Sequence, residues 1–172
     1  MLENFGSEQC LLAKQYDRGF LKQELNTRLI DVKTIDELMR ELRLFRQQVM
    51  LQIIWRDINR LALTMQTTAA LSALADITVQ AAYQFIYQQM CAEFGVPRSE
   101  EGVAQDLLVI GMGKLGADEL NLSSDIDLIF AFDESGYTDG GRSIPNRDFF
   151  TRLGQKLITA IDKQTVDGFV FR

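Results

Sequence analysis

The chain has 172 residues, of which 47% are hydrophobic, and carries a formal charge of −6 at pH 7. This acidic balance argues against electrostatic binding to nucleic acid, because neutralising phosphates requires an excess of basic residues. The sequence has no histidine, which excludes the usual general base, histidine-ligated zinc and any Ser-His or Cys-His nucleophile. Catalysis would therefore depend on carboxylates and a metal ion.

Cysteine usage and hydropathy indicate the compartment. Cys10 and Cys91 lie far apart without metal-ligand spacing around them, which is typical of a reduced protein. No apolar run approaches the roughly 18 residues of a membrane span, and no basic stretch precedes an apolar one at the N-terminus. We therefore predict a cytoplasmic protein with no membrane partner and no nucleic-acid partner.

Helical patterns fill the first half of the chain. Residues 1–33 are predicted to be helical, with a break near residues 17–19, and Thr34 and Glu37 fit a capping box that starts a long helix. The apolar stripe of that helix is predicted to contain Ile35, Leu38, Leu42, Phe45, Val49, Ile53, Trp55, Ile58 and Leu61. We interpret Arg40, Arg43 and Arg46 as a solvated face paired with nearby acids, with contact to an acidic partner as the alternative.

A second helix is predicted after Thr67 and Thr68, ending at Gly95 and Pro97. Residues 97–105 are polar and rich in turn-forming residues, as expected of a boundary. We therefore divide the chain into a helical region, residues 1–97, and a second domain, residues 98–172.

A glycine-rich segment follows a predicted buried strand at residues 106–110. Gly111, Gly113 and Gly116 allow tight turns and close approach to a ligand, and Lys114 lies among them. This combination suits a phosphate site. It does not fit a dinucleotide fingerprint, because a new strand begins too soon, and it lacks the Gly-Lys-Ser/Thr of a Walker A loop.

Two aspartates follow at spacing i, i+2. From Asp125 the residues alternate in polarity, so Asp125 and Asp127 are predicted to share one face of a strand, about 6.5 to 7 Å apart at Cα. Two such carboxylates can hold magnesium for in-line phosphoryl or nucleotidyl transfer. The alternative is a surface turn with two solvated aspartates, and the adjoining glycine loop favours the metal site.

The remaining segments predict a loop at residues 133–145, a helix capped by Asn146 and a strand at residues 169–172. The buried face of that helix is predicted to contain Phe149, Phe150, Leu153, Leu157 and Ile161.

The segment GMGKLGADELNLSSDIDLIF, residues 111–130, closely resembles the core of the bacterial glutamine synthetase adenylyltransferases, which are bifunctional adenylyltransferases and deadenylylases. The resemblance extends to LRLFR, WRD, LSALAD, FFTRLGQ and DGFVFR, which begin at residues 42, 55, 71, 149 and 167. It implies an α+β fold in which an N-terminal helical array precedes a partial mixed sheet similar to that of DNA polymerase beta.

The resemblance also implies a reaction. Residues 121–127, NLSSDID, look like the family's deadenylylating domain, which removes AMP from a modified tyrosine of glutamine synthetase by phosphorolysis and releases ADP. The alternatives are the ATP-dependent adenylylating direction and a regulatory docking module whose acids have lost their role. The implied partners are glutamine synthetase and a PII-type nitrogen signalling protein.

Site roles follow from the same resemblance. Asp125 and Asp127 are expected to be catalytic and to bind Mg²⁺. A third carboxylate is expected beyond Arg172, so the 172-residue chain is expected to bind nucleotide without turnover. Asp162 and Asp167 are less favoured substitutes, better interpreted as a helix-end acid and a turn acid. Because Lys114 stands where the superfamily has serine, the residues expected to contact the phosphates of ADP or ATP are Gly111, Gly113, Lys114, Ser123 and Ser124.

Overall fold

The computed structural model describes residues 18–172. The predicted helix over residues 1–33 therefore lies partly outside the described residues, as does Cys10. Within them, helix α1 spans Arg18–Leu29, so it already includes two of the three residues at which a break is predicted. Cys91 is a free, half-buried thiol whose pKa is raised by burial.

Helix α2, Ile35–Ile58, begins at the predicted capping box. The Glu37 amide donates to Thr34 Oγ1 at 3.2 Å, and the Thr34 amide donates to Glu37 Oε2 at 3.1 Å. These bonds satisfy amides that would otherwise lack acceptors at the helix start. Most of the predicted stripe is buried, but Trp55, Ile58 and Leu61 are exposed, because the face buried near the end of the helix contains Ile53 and Arg56 instead.

The prediction of a solvated arginine face is wrong for Arg43. Arg40 is exposed, but Arg43 is fully buried and Arg46 is half-buried. The reason is that α2 packs against the end of a later helix, α5 (Asn146–Asp162), where the Ala160 and Lys163 carbonyls accept hydrogen bonds from the Arg43 guanidinium.

Helix α3, Thr64–Phe94, starts before the predicted Thr67 and Thr68 and ends at Gly95 as predicted. Gly95 has φ +87°, a conformation that favours glycine, and a Cβ there would lie 2.0 Å from the Gly140 amide nitrogen. The helix therefore ends at a residue that must be glycine for both reasons.

Within residues 18–172, four short strands form two separate antiparallel pairs. Strand β1, Pro97–Ser99, pairs with β4, Gly136–Thr138, and strand β2, Leu108–Gly111, pairs with β3, Leu128–Ala131. The α+β class is thus correct, whereas the predicted mixed sheet is not observed within residues 18–172. The predicted buried strand is exposed on one face. Only one face of the β2–β3 pair packs against the hydrophobic core, and Leu108 on the other face is 59% exposed.

The predicted strand at residues 169–172 is wrong. These residues form no strand and instead wrap around the end of helix α5, Asn146–Asp162, where the amides of Val170 and Phe171 both donate to Ile161 O. Burial of Val170 and Phe171 in the core explains this path.

Helix α5 buries the predicted face. One hydrophobic core unites that face with α1, α2 and α3, and it continues across residue 97, so the division into two domains stays a prediction. Asn146 is not the cap, because its buried amide donates to Arg98 O at 2.8 Å and Glu134 O at 3.3 Å. No helix in residues 18–172 has the length and apolarity to cross a membrane.

Candidate nucleotide and metal site

The pairing of β2 with β3 brings the glycine loop and the two aspartates to one end of the hairpin. Gly111 pairs with Leu128, so the exit of β2 lies beside the entry of β3. The next residues continue the contact, because the Met112 amide donates to Asp127 O at 2.9 Å. The two sequence motifs therefore meet in space.

Asp125 and Asp127 are exposed, and Ile126 between them is half-buried, which is the alternation predicted from sequence. Both residues precede the strand rather than lie in it, since β3 begins at Leu128. Neither carboxylate makes a hydrogen bond or ion pair with any side chain or amide among residues 18–172. Two free oxygen ligands of this kind fit a hard cation such as Mg²⁺, with water or phosphate oxygens completing the coordination.

Backbone hydrogen bonds hold this segment from two directions. In addition to the Met112 bond, the Ile126 amide donates to Arg172 O at 2.6 Å. Residue 172 therefore lies directly beside the aspartate pair, although it is 46 residues distant in sequence. The carboxylates project from a backbone fixed by partners, so little rotational freedom of the chain is lost when a ligand binds.

The glycine loop turns sharply after β2. Gly113–Gly116 forms a single helical turn, here α4, and Gly113 has φ +55°. A Cβ on Gly116 would lie 2.6 Å from Gly111 O, so the loop closes back on the strand end. Residue 113 is glycine because its φ is left-handed, and residue 116 is glycine because a Cβ would clash with the Gly111 carbonyl oxygen.

The loop presents free donors. The amides of Gly113 and Lys114 have no acceptor within the described part of the chain, as expected for the first turn of a helix. The Lys114 side chain is exposed and has no acid partner there either. Amides and an ammonium group at one turn suit a phosphate.

A third element is the turn that leads into Asp125. Asn121 Oδ1 accepts from the Ser124 hydroxyl at 2.9 Å, from the Ser123 amide at 3.1 Å and from the Ser123 hydroxyl at 3.3 Å. Ser124 Oγ in turn accepts from the Asn121 amide at 3.0 Å. Both predicted phosphate-contacting serines thus lie at the site, with their hydroxyls oriented by Asn121.

Helix α3 anchors the two segments of the site. The buried Ser72 hydroxyl accepts from the Leu120 amide at 3.3 Å, just before Asn121. Near β2, Tyr83 OH donates to Asp106 Oδ1 at 2.9 Å and accepts from the Leu107 amide at 3.3 Å. Burial, assisted by the Asp106 contact, raises the pKa of Tyr83, so it remains a neutral donor.

Sequence reasoning missed Asn121, Ser72 and the backbone role of Arg172. Asn121 was detectable, because an Asn followed by Ser-Ser is typical of a side-chain-bonded turn. Ser72 and Arg172 had no local signal, since their partners lie 48 and 46 residues away.

The two less favoured acids take the places expected of them. Asp162 ends α5 and lines a cavity of about 210 Å³ together with Asp127, while Asp167 lies in the turn between Thr165 and Gly168. Residues 18–172 contain no group of three or more metal-ligating acids, cysteines or histidines. Asp162 lines the same cavity as Asp127, but within that range the acids do not form a metal-holding group of three.

Comparison of the sequence with known proteins identifies the family. The sequence profile of the glutamate-ammonia ligase adenylyltransferases matches residues 1–172. A bifunctional glutamine synthetase adenylyltransferase/adenylyl-removing enzyme from Pseudomonas aeruginosa is 51% identical over 168 residues, covering 96% of this chain and 17% of the relative. Enzymes of the same name from Pseudomonas putida and Hahella chejuensis are 51% and 53% identical over 163 and 156 residues, covering 94% and 90% of this chain.

The chain spans about one sixth of the length of these relatives. The three relatives are at least 51% identical to this chain over at least 90% of its length, and the family profile covers all 172 residues. The resemblance noted in the sequence is confirmed, and the chain belongs to the glutamate-ammonia ligase adenylyltransferase family.

Proposed function

We propose that this chain is the nucleotide- and metal-binding part of an adenylyl-removing enzyme, which phosphorolyses AMP-tyrosine on glutamine synthetase to give ADP and the unmodified enzyme. The observation that carries the proposal is the meeting of two free carboxylates with a glycine turn whose amides lack acceptors. This arrangement supplies oxygen ligands for a cation and donors for phosphates at one place.

Asp125 and Asp127 would hold Mg²⁺ through their exposed carboxylates. The ion, when bound, neutralises phosphate charge and stabilises the oxygens between which the adenylyl group is transferred. The backbone bonds from Met112 and to Arg172 O hold the segment from which the two carboxylates project. Each acid therefore meets the cation without first exchanging an internal partner.

The phosphate groups would lie against the glycine turn. The Gly113 and Lys114 amides donate to phosphate oxygens, Gly111 and Gly116 permit the close approach, and the Lys114 ammonium adds a charge-assisted contact. Ser123 and Ser124, whose hydroxyls donate to Asn121 Oδ1 in the free chain, would complete this set by turning those protons toward the phosphate.

The resemblance of residues 121–127 supports the adenylyl-removing direction. The residues from Asn121 to Asp127 have the form that resembles the family's deadenylylating domain, and the structure gives its asparagine and serines one interlocked turn. The relatives' names cover both adenylylation and adenylyl removal. Glutamine synthetase as substrate, a PII-type protein as regulator and a cytoplasmic location complete the proposal.

We further propose that the 172-residue chain binds nucleotide with magnesium but turns over slowly. Within residues 18–172 no three acids are grouped to hold a metal, whereas a two-metal transfer needs ligands for a second ion that stabilises the leaving group. Losing about 4 kcal/mol of transition-state stabilisation slows a step roughly a thousandfold, while ground-state phosphate contacts survive.

The proposal is tested by calorimetry of ADP binding to the chain with and without magnesium. We expect magnesium to strengthen binding and the Asp125→Asn/Asp127→Asn double variant to abolish that gain. If neither magnesium nor the double substitution changes the ADP affinity, the chain is a docking module instead. The direction is tested in the longer P. aeruginosa enzyme, where the change equivalent to Asp127→Asn should remove phosphate-dependent ADP release and spare ATP-dependent adenylylation.

A further inference from the structure

A second candidate site lies away from the aspartate pair. A groove of about 460 Å³ runs between the start of α2, the end of α3 and one side of α5. Its floor consists of Met90 and Phe94, which are 1% and 5% exposed, and Arg152 and Lys156 of α5 form its charged wall. We call this the α5 groove. It combines an apolar floor with a cationic wall.

The charge of the α5 groove is unbalanced. Arg152 and Lys156 form no ion pair with any acid in the part of the chain that the structure describes. The acid that lines the groove, Glu93, already binds Arg142, with Oε1 to Nη1 at 3.1 Å. The groove therefore offers two positive charges on a protein whose formal net charge is −6.

Two guanidinium groups gather at the floor. The central carbon of Arg152 lies 5.5 Å from the centre of the Phe94 ring, and that of Arg142 lies 5.6 Å from it. Both are attracted to the ring, and Glu93 pairs with Arg142, so the charge of Arg152 is not neutralised by an acid of the groove. An anion placed between Arg152 and Lys156 would neutralise these two charges and gain charge-assisted hydrogen bonds.

The groove is separate from the site at the β2–β3 hairpin. Successive residues of a helix turn by about 100°, so Arg152, Lys156 and Thr159 share one side of α5, and Leu157 and Ile161 point to the other. Leu157 and Ile161 line the cavity that includes Asp127, and the first set lines the groove. Helix α5 therefore stands between the two sites, and a ligand in one leaves the other open.

We propose that the α5 groove is a binding site for a small organic phosphate, in which Arg152 and Lys156 bind the phosphate and the Met90 and Phe94 floor accepts an apolar part of the molecule. The volume is of the size that small-molecule sites have. The apolar floor explains why a bare inorganic anion would fill the site less well than an organic one.

The test uses AMP as the probe and NMR spectroscopy of the 172-residue chain, with EDTA present so that no metal recruits phosphate to the aspartate pair. We expect AMP to shift amide signals of residues 90–94 and 152–159, and adenosine, which lacks the phosphate, to bind at least about tenfold more weakly. Inorganic phosphate should shift the same signals only at higher concentration.

Matched variants decide the assignment. Arg152→Gln/Lys156→Gln should weaken AMP binding about tenfold or more, and Arg40→Gln/Arg147→Gln, which removes two exposed charges elsewhere, should leave it unchanged. Asp125→Asn/Asp127→Asn should also have no effect, which separates this site from the proposed function. Equal binding of adenosine and AMP, shifts confined to the glycine loop, or insensitivity to Arg152→Gln/Lys156→Gln in a variant that circular dichroism shows to be folded would overturn the proposal.

Discussion

Two regions of this molecule use polar side chains in opposite ways. At the β2–β3 hairpin, Asp125, Asp127 and Lys114 are exposed and lack partners within residues 18–172. At the junction of α2 with the end of α5, Arg43 is fully buried, and its nitrogens donate to Gly168 O at 2.8 Å, Met39 O at 2.7 Å, Ala160 O at 3.0 Å and Lys163 O.

The difference separates binding from stability. A buried charge persists only when hydrogen bonds replace its hydration, and burial correspondingly lowers the pKa of Arg43 despite the nearby Asp167 charge. Exposed carboxylates without internal partners contribute little to stability and keep their oxygens available for a ligand. The Arg43 junction is therefore structural, and the hairpin end is the site.

The two regions are nevertheless connected. Arg46, on the turn of α2 after Arg43, lies 5.0 Å and 5.5 Å from the ring centres of Phe169 and Phe171. These contacts fix the segment whose last residue, Arg172, accepts the Ile126 hydrogen bond between the two aspartates. Stability at the junction thus sets geometry at the site.

The largest expected effect comes from Arg43→Met. The change removes the guanidinium that donates to the carbonyls of Met39, Ala160, Lys163 and Gly168, and we expect a loss of about 3 to 5 kcal/mol in unfolding free energy, measured by urea denaturation. The control is Arg40→Met on the same helix, which is exposed and should cost less than about 0.5 kcal/mol. Similar losses for both would contradict a special role for the buried guanidinium.

Asp127→Asn, in contrast, should weaken ligand binding and leave stability unchanged. Loss of one hard ligand should weaken magnesium-dependent ADP binding about ten- to a hundredfold, or roughly 1.4 to 2.8 kcal/mol, with the unfolding free energy unchanged. Calorimetry at saturating magnesium measures it, and Asp162→Asn is the control because Asp162 lines the same cavity from the helix end. An equal effect at Asp162 would make that residue a ligand too.

Gly113→Ala should perturb the loop without steric conflict. A Cβ there meets no atom within 4 Å, so the expected cost of about 1 to 2 kcal/mol comes from the left-handed φ of +55° alone. Gly141→Ala is the control, because its Cβ also meets nothing and its backbone is not left-handed. Thermal unfolding measures both, and a neutral Gly113→Ala would show that the loop adopts another conformation.

Lys114→Ala is expected to have the smallest effect. One exposed charge-assisted contact to phosphate should be worth about a three- to tenfold loss in ADP affinity, decreasing with added salt, and no change in stability. The matched control is Lys33→Ala, another exposed lysine, which lies in the turn before α2. Unchanged affinity in Lys114→Ala would remove this residue from the phosphate site.

Much of the helical part was predictable because the interactions are local. The Thr34 and Glu37 capping box spans four residues, Gly95 ends α3 next to its last turn, and the periodic apolar face of α5 appears buried as predicted. The proximity of the glycine loop to the aspartates was also predictable, since both lie within residues 111–127, between two strands that then pair.

The sequence by itself determined the helices, the family and the motif that carries Asp125 and Asp127, because each depends on residues close together along the chain. Only the tertiary structure decided that Arg43 is buried, that the strands form two separate pairs, and that Arg172 lies beside the aspartates. These features depend on contacts such as that between Arg43 and Gly168, which are 125 residues apart. No local pattern encodes such a contact, because its free energy arises only when the packed helices exclude water and leave carbonyls in need of a donor.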